Sequence, residues 1–167
     1  MWGLEDMLIE DIENTDRFLF IFEWLMAIMS RYLCPMPFGL VHIEHGDKNE
    51  LGDAYGAKEA AEQLVSMTTH LKKAFRNTDL VARIGSDFWI VVPYTPATEK
   101  VQDKVRSIIR DSEHEGLKTA AQNASIFSFP SEDEALNQKL TELSGAEFLT
   151  YLKKNRHTLP SQILTLD

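Results

Sequence analysis

Arg76 and Asp79 stand three residues apart in Arg76-Asn77-Thr78-Asp79, and six positions later the chain reads Gly85-Ser86-Asp87-Phe88-Trp89. A guanidinium presents a planar fork that grips paired acceptors or a phosphate and can stack on a flat ring. A carboxylate accepts from N–H donors. The chemistry this pair offers is therefore recognition. Lys72 and Lys73 add local positive charge. Taken by itself, the pair also reads as a solvated helix end, with Arg76 in the last turn and Asp79 opening a turn. His42 and Glu44 share a strand face in His42-Ile43-Glu44-His45, but two ligands are too few for a metal, and the simpler reading is a pair of satisfied strand side chains. His70, His114 and His157 have no ligand spacing, Cys34 has no visible base partner, and no serine sits in a glycine-flanked elbow. No catalytic residue, metal or cofactor is expected.

The elements that must position these groups follow from periodicity and breakers. A long helix spans about 4–33 and is stopped by Pro35 and Pro37. Phe38–His45 is a strand and Gly46–Gly52 a loop. Apolar positions 57, 60, 61, 64, 71 and 75, with Thr68 in the same register, make Ala57–Phe75 an amphipathic helix laid on a sheet. Asp79–Ile84 and Phe88–Pro93 form a hairpin whose residues Phe88 to Val92 read as sheet core. Thr98–Ser112 is a second amphipathic helix, Thr119–Phe129 a strand region, and Ala146–Asn155 a short terminal helix. No element is assigned between 130 and 145. The fold class is α/β (α+β), with a mixed sheet surrounded by helices.

A chain of 167 residues with 44% hydrophobic content can build one complete core. We read a helical segment at 1–33 and a folded unit at 34–167, one domain overall. Seventeen basic against 26 acidic residues give a net charge of −9, which argues against nucleic-acid polymers as partners. A single cysteine, Cys34, suits a reducing cytoplasm. The most apolar run, Phe18–Met29, lasts 12 residues and contains Glu23, whereas a spanning helix needs about 20. Acidic residues upstream of it are the wrong pattern for a secretory signal. Being apolar nearly all round, the run is expected to pack on two sides, as a dimer or partner-docking helix would.

The block Arg76 to Trp89 resembles the RxxDxxxRxGGDEF signature of GGDEF (diguanylate cyclase) domains. Asp53-Ala54-Tyr55-Gly56 resembles the D-x-Y-G after that family's first strand, Leu64 its helix leucine, and Phe129-Pro130 its Y-P. Tyr151 with Lys153, Lys154 and Arg156 loosely resembles the final Y-x-A-K-x-x-G-R helix. The resemblance implies a nucleotidyl-cyclase-like fold, a five-stranded mixed sheet with the signature on a hairpin, and a place in bacterial signal transduction. Active members condense two GTP molecules into cyclic di-GMP with two metal ions. The RxxD element is the family's inhibitory site for that product, often joined by another arginine from the following helix; Arg106 in Asp103-Lys104-Val105-Arg106 resembles it, and Arg110, one turn later on the same helix face, could meet a phosphate. There the arginine fork matches the O6/N7 edge of guanine and the aspartate accepts from its N1–H and N2–H₂ edge.

The departures from the signature fall where the chemistry would be. The metal-ligating aspartate of the first strand corresponds to His42, and imidazole is a poor ligand for Mg²⁺. Within Gly85-Ser86-Asp87-Phe88-Trp89, Ser86 replaces the second glycine and Phe88 the second acid, leaving Asp87 as the one carboxylate. The guanine-reading asparagine and aspartate correspond to Gly52 and Ala61. Such losses cost on the order of 1–3 kcal/mol of discrimination for each bidentate pair. The expectation is a GGDEF-like domain without cyclase activity that receives cyclic di-GMP through Arg76, Asp79, Arg106 and Arg110. The alternative is a dimerisation or protein-interaction domain acting through its N-terminal helix.

Overall fold

Apolar residues alternate along the strands, recur every three to four positions on the helices, and use both faces of one sheet. The computed structural model describes residues 4–31, 37–44, 57–76, 78–84, 87–93, 99–114, 123–159 and 162–165. Their order is α1 (Leu4–Arg31), β1 (Phe38–Glu44), α2 (Ala57–Ala74), β2 (Leu80–Ile84), β3 (Asp87–Pro93), α3 (Glu99–His114), β4 (Asn123–Phe129), α4 (Glu134–Glu142), α5 (Gly145–Asn155) and β5 (Gln162–Thr165). Two of these elements carry no clear periodic signal. Helix α4 begins at an Asp133 cap whose side chain accepts from the Ala135 N–H, and Leu136 is its buried anchor. Strand β5 has four residues, too few to show a period.

The five strands lie in the order β2-β3-β1-β4-β5. All four neighbouring pairs are antiparallel, which corrects the expected mixed sheet. The reason is topological. Strands β1 and β2, joined through α2, do run the same way, but β3 folds back from β2 and inserts between them. The crossover therefore creates no parallel neighbours.

Central strand β1 is buried on both faces, so its side chains alternate between two cores. On one face Val41, Ile43, Phe88 and Ile90 meet Met67 and Leu71 of α2 and Val101, Val105 and Ile108 of α3. On the other, Phe38, Leu40, Trp89, Val91, Phe127 and Phe129 meet α1 and α5. That second core is aromatic: the Phe22 ring lies 6.2 Å from Phe148 and 6.3 Å edge-on from Phe38, which stacks at 5.2 Å on Phe129.

Within the chain itself, the run Phe18–Met29 packs on one side. Helix α1 buries one stripe, Phe18, Phe22, Leu25 and Met26, against the sheet and α5, each burial worth about 1.5–3 kcal/mol. On the other side Phe20 is 74% and Trp24 59% exposed. Glu23, which interrupts the apolar run, caps a neighbouring helix. Its Oε1 accepts the Gly145 N–H at 2.8 Å, satisfying a donor at the start of α5 that the helix itself leaves free. No helix among the described residues is long and apolar enough to cross a membrane.

Candidate functional site

Strand alternation decides what the signature hairpin can present. In the β1–β3 register His42 lies opposite Trp89, Glu44 opposite Asp87 and Ile43 opposite Phe88. His42, Glu44, Asp87 and Trp89 thus share the α1/α5 face, while Phe88 points into the aliphatic core with no exposure. His42 is 1% exposed, stacks on the Trp89 indole at 4.3 Å, and has its Nε2 3.0 Å from Asp87 Oδ1. With Asp87 ionised, that nitrogen carries the proton.

Helix α5 closes this place with cations. A capping box starts it, Ser144 accepting from the Glu147 N–H while the Glu147 side chain accepts from the Ser144 N–H. Apolar contact through Phe148, Leu149 and Leu152 then fixes its axis, which carries Lys153 and Arg156 to the strand ends. Lys153 Nζ donates to Asp87 Oδ2 at 2.9 Å, and Arg156 Nη1 donates to Glu44 Oε2 at 2.7 Å. Burial alone pushes the Asp87 carboxyl up, but the hydrogen bonds and charges of His42 and Lys153 outweigh it and hold the group below its ordinary value near 3.8. Among the described residues no group of three or more His, Cys, Asp or Glu is placed to hold a metal ion.

A separate pocket of about 240 Å³ opens where α2 turns into β2. It is lined by Arg17, Phe18, Lys72, Arg76, Asp79, Leu80 and Val81. The turn is built by its own ends: Asp79 N–H donates to the Arg76 carbonyl at 2.9 Å, and Asp79 Oδ2 accepts the Arg76 N–H at 3.0 Å. The side chain reaches back three residues, a local side-chain-to-backbone bond that closes the turn. It fixes Asp79 and leaves the Arg76 guanidinium exposed, with no ion pair among the described residues.

Arg76 and Asp79 therefore come together as the spacing predicts. Arg106 and Arg110, on α3, are not among the residues lining the pocket, and Arg106 lies 3.6 Å from Asp103 on its own helix. In their place stand Lys72, four residues before Arg76 on the same face, and Arg17 from α1. Arg17 carries no sequence signal, because it reaches the pocket only through the packing of α1 over β2. Gly52, Gly85, Ser86 and the Ala61 side chain lie outside the described residues.

The sequence profile described as diguanylate cyclase, GGDEF domain, matches residues 29–142, about two thirds of the chain. The chain belongs to the GGDEF domain family. Its fold is similar to the GGDEF domain of YfiN (TpbB) from Pseudomonas aeruginosa, at 15% identity and a TM-score of 0.53, covering 83% of this chain and 89% of that one. It is similar to the P. aeruginosa diguanylate cyclase SiaD, solved with its activator SiaC, at 15% identity and a TM-score of 0.54 over 79% of this chain and 54% of SiaD. The chain thus spans about half of SiaD. The coiled coil and GGDEF domain of Caulobacter crescentus DgcB, in complex with c-di-GMP, gives 15% identity and a TM-score of 0.50 over 74% of this chain and 67% of that one. No curated protein matches this GGDEF domain in sequence.

Proposed function

We propose that this GGDEF domain is a receptor for cyclic di-GMP that does not synthesise it. The observation that carries the reading is the pocket holding Arg76 and Asp79 side by side, with three cations and a carboxylate around its rim. The arginine fork suits the O6/N7 edge of a guanine and the aspartate its N–H edge. Absence of synthesis is supported at the other end of the hairpin. There the one signature carboxylate, Asp87, is engaged by His42 and Lys153, and the neighbouring place is taken by the core residue Phe88. A two-metal mechanism needs several free hard-oxygen donors. DgcB, solved in complex with c-di-GMP, is an example of a similar fold with that ligand. A receptor for a nucleotide made from GTP would work in the cytoplasm.

Calorimetric titration with cyclic di-GMP, with GTP as control, tests the reading. Binding that falls at least tenfold on Arg76→Ala is expected; no binding at high micromolar concentration, or an unchanged Arg76→Ala, overturns it. Incubation with GTP and Mg²⁺ is expected to give no cyclic dinucleotide.

A second reading, an interaction module, is favoured by the exposed Phe20 and Trp24 on α1. Its test is the sedimentation mass of a Phe20→Ser/Trp24→Ser variant, which falls if that face joins two copies and is unchanged if it does not.

A further inference from the structure

We propose that Arg17 of α1 is a third recognition arm of the Arg76–Asp79 pocket, so that a bound guanine-containing cyclic dinucleotide fastens α1 to the sheet. The inference rests on reading this pocket as the dinucleotide site and concerns what that site regulates.

The rim is assembled from two separate parts of the chain. Lys72, Arg76, Asp79, Leu80 and Val81 belong to the continuous α2–β2 segment, whereas Arg17 and Phe18 belong to α1. The charges are unbalanced. Arg17, Lys72 and Arg76 are exposed and none is ion-paired among the described residues, while the one carboxylate, Asp79, already accepts from the Arg76 backbone N–H. Three cations against one anion leave an excess of two positive charges at this spot, in a chain of net charge −9. A cyclic dinucleotide carries two phosphodiesters, one negative charge each, and so matches that excess. The division of labour follows from geometry. Asp79 is fixed by its turn and Arg76 stands beside it, so these two take the base edge; Lys72 and Arg17 are left for phosphate.

The pocket, at about 240 Å³, is smaller than the roughly 300–1,000 Å³ usual for the cleft or cavity that takes a drug-sized ligand. It admits one base with its phosphate and leaves the second half at the rim, where an arm from outside the α2–β2 segment is what can hold it. Helix α1 is already seated beside this place: Thr15 Oγ1 donates to the Arg83 carbonyl of β2 at 2.7 Å, and Phe18, next to Arg17, reaches from the pocket wall into the aromatic core. A ligand gripped by both parts adds a bond between α1 and β2 that the free protein lacks. By linkage, anything that pulls α1 away weakens the ligand by the same factor.

The experiment combines calorimetry with hydrogen exchange of α1 amides in the wild type, Arg17→Ala and Arg76→Ala. Cyclic di-GMP is expected to slow exchange across α1 in the wild type. Arg17→Ala should bind about tenfold more weakly and lose that slowing, while its ligand-free exchange and melting temperature match the wild type. Cyclic di-AMP, with the same phosphates and no guanine edge, should bind at least tenfold more weakly than cyclic di-GMP. An Arg17→Ala affinity equal to wild type, or binding that leaves α1 exchange unchanged, overturns this proposal alone, provided Arg76→Ala still loses binding. A wild type that fails to bind overturns the site reading and this inference together.

Discussion

Lys153 on α5 and Asp87 on β3 form a 2.9 Å ion pair between residues 66 positions apart, with Asp87 14% exposed. A protein ammonium thus stands against the carboxylate that the family signature would offer to a metal. The pair ties α5 to the signature strand.

The acid stability of the domain follows from this pair. Asp87 is held below its ordinary value near 3.8, so its contribution is fully present above that value and is lost as pH falls through the depressed folded-state value. Urea unfolding from about pH 6 down to about pH 2 should show a constant stability gap between wild type and Asp87→Asn at neutral pH, narrowing below about pH 3.8. A gap that widens on acidification would contradict the assignment.

An acid placed at position 88, where the family signature has one, should produce no cyclase activity. Phe88 faces the aliphatic core under α2 and α3, on the opposite face from Asp87. Phe88→Glu buries a carboxylate without a partner there and should destabilise by more than about 3 kcal/mol, with no cyclic dinucleotide formed from GTP. Denaturant titration and a product assay check both halves.

Glu23 and Gly145 should be energetically coupled. A Cβ built at Gly145 would lie 2.8 Å from Glu23 Cγ. Gly145→Ala should therefore cost about 1 kcal/mol in the wild type by displacing the Glu23 acceptor. In a Glu23→Ala background the same change should be neutral or stabilising, since the clash is gone and alanine is the better helix former. A double-mutant cycle measures the difference.

The two faces of α1 should respond oppositely to truncation. Phe22, fully buried among Phe18, Phe38 and Phe148, should cost about 3–5 kcal/mol as Phe22→Ala. Phe20→Ala, at a position 74% exposed, should stay within about 0.5 kcal/mol by thermal or chemical unfolding.

Arg106→Ala and Arg110→Ala should each change cyclic di-GMP affinity by less than about twofold, because neither side chain lines the pocket. A tenfold loss by either would show that α3 supplies an arm.

What was legible in the sequence was local. Arg76 and Asp79 meet because three residues of turn bring them together, and the hairpin after them announces itself through apolar runs around a glycine. The helices α2 and α3 show their periods openly. What was hidden needed partners from far along the chain. Glu23 in its apolar run looked only like a reason against a membrane span, since nothing nearby marks Gly145, 122 positions later, as its partner. Lys153 and Arg156 were visible as basic residues on a terminal helix, but the turn phase that aims them at Asp87 and Glu44 is set by Phe148, Leu149 and Leu152 packing on the sheet. The antiparallel character of every strand pair was hidden because the pattern shows strands and their order in the chain, not which strand inserts between two others.

The stacking of Trp89 on His42 has an optical consequence. Trp89 is 2% exposed beside the Asp87 cluster, whereas Trp24 is 59% exposed on the outer face of α1. Two of the three tryptophans therefore stand in opposite surroundings: emission from Trp89 follows the integrity of the interior around β1 and β3, and emission from Trp24 follows whatever approaches the free side of α1. With Trp2 replaced by phenylalanine, an aqueous quencher such as iodide separates the two signals, so closure of the core and occupation of the surface can be watched independently.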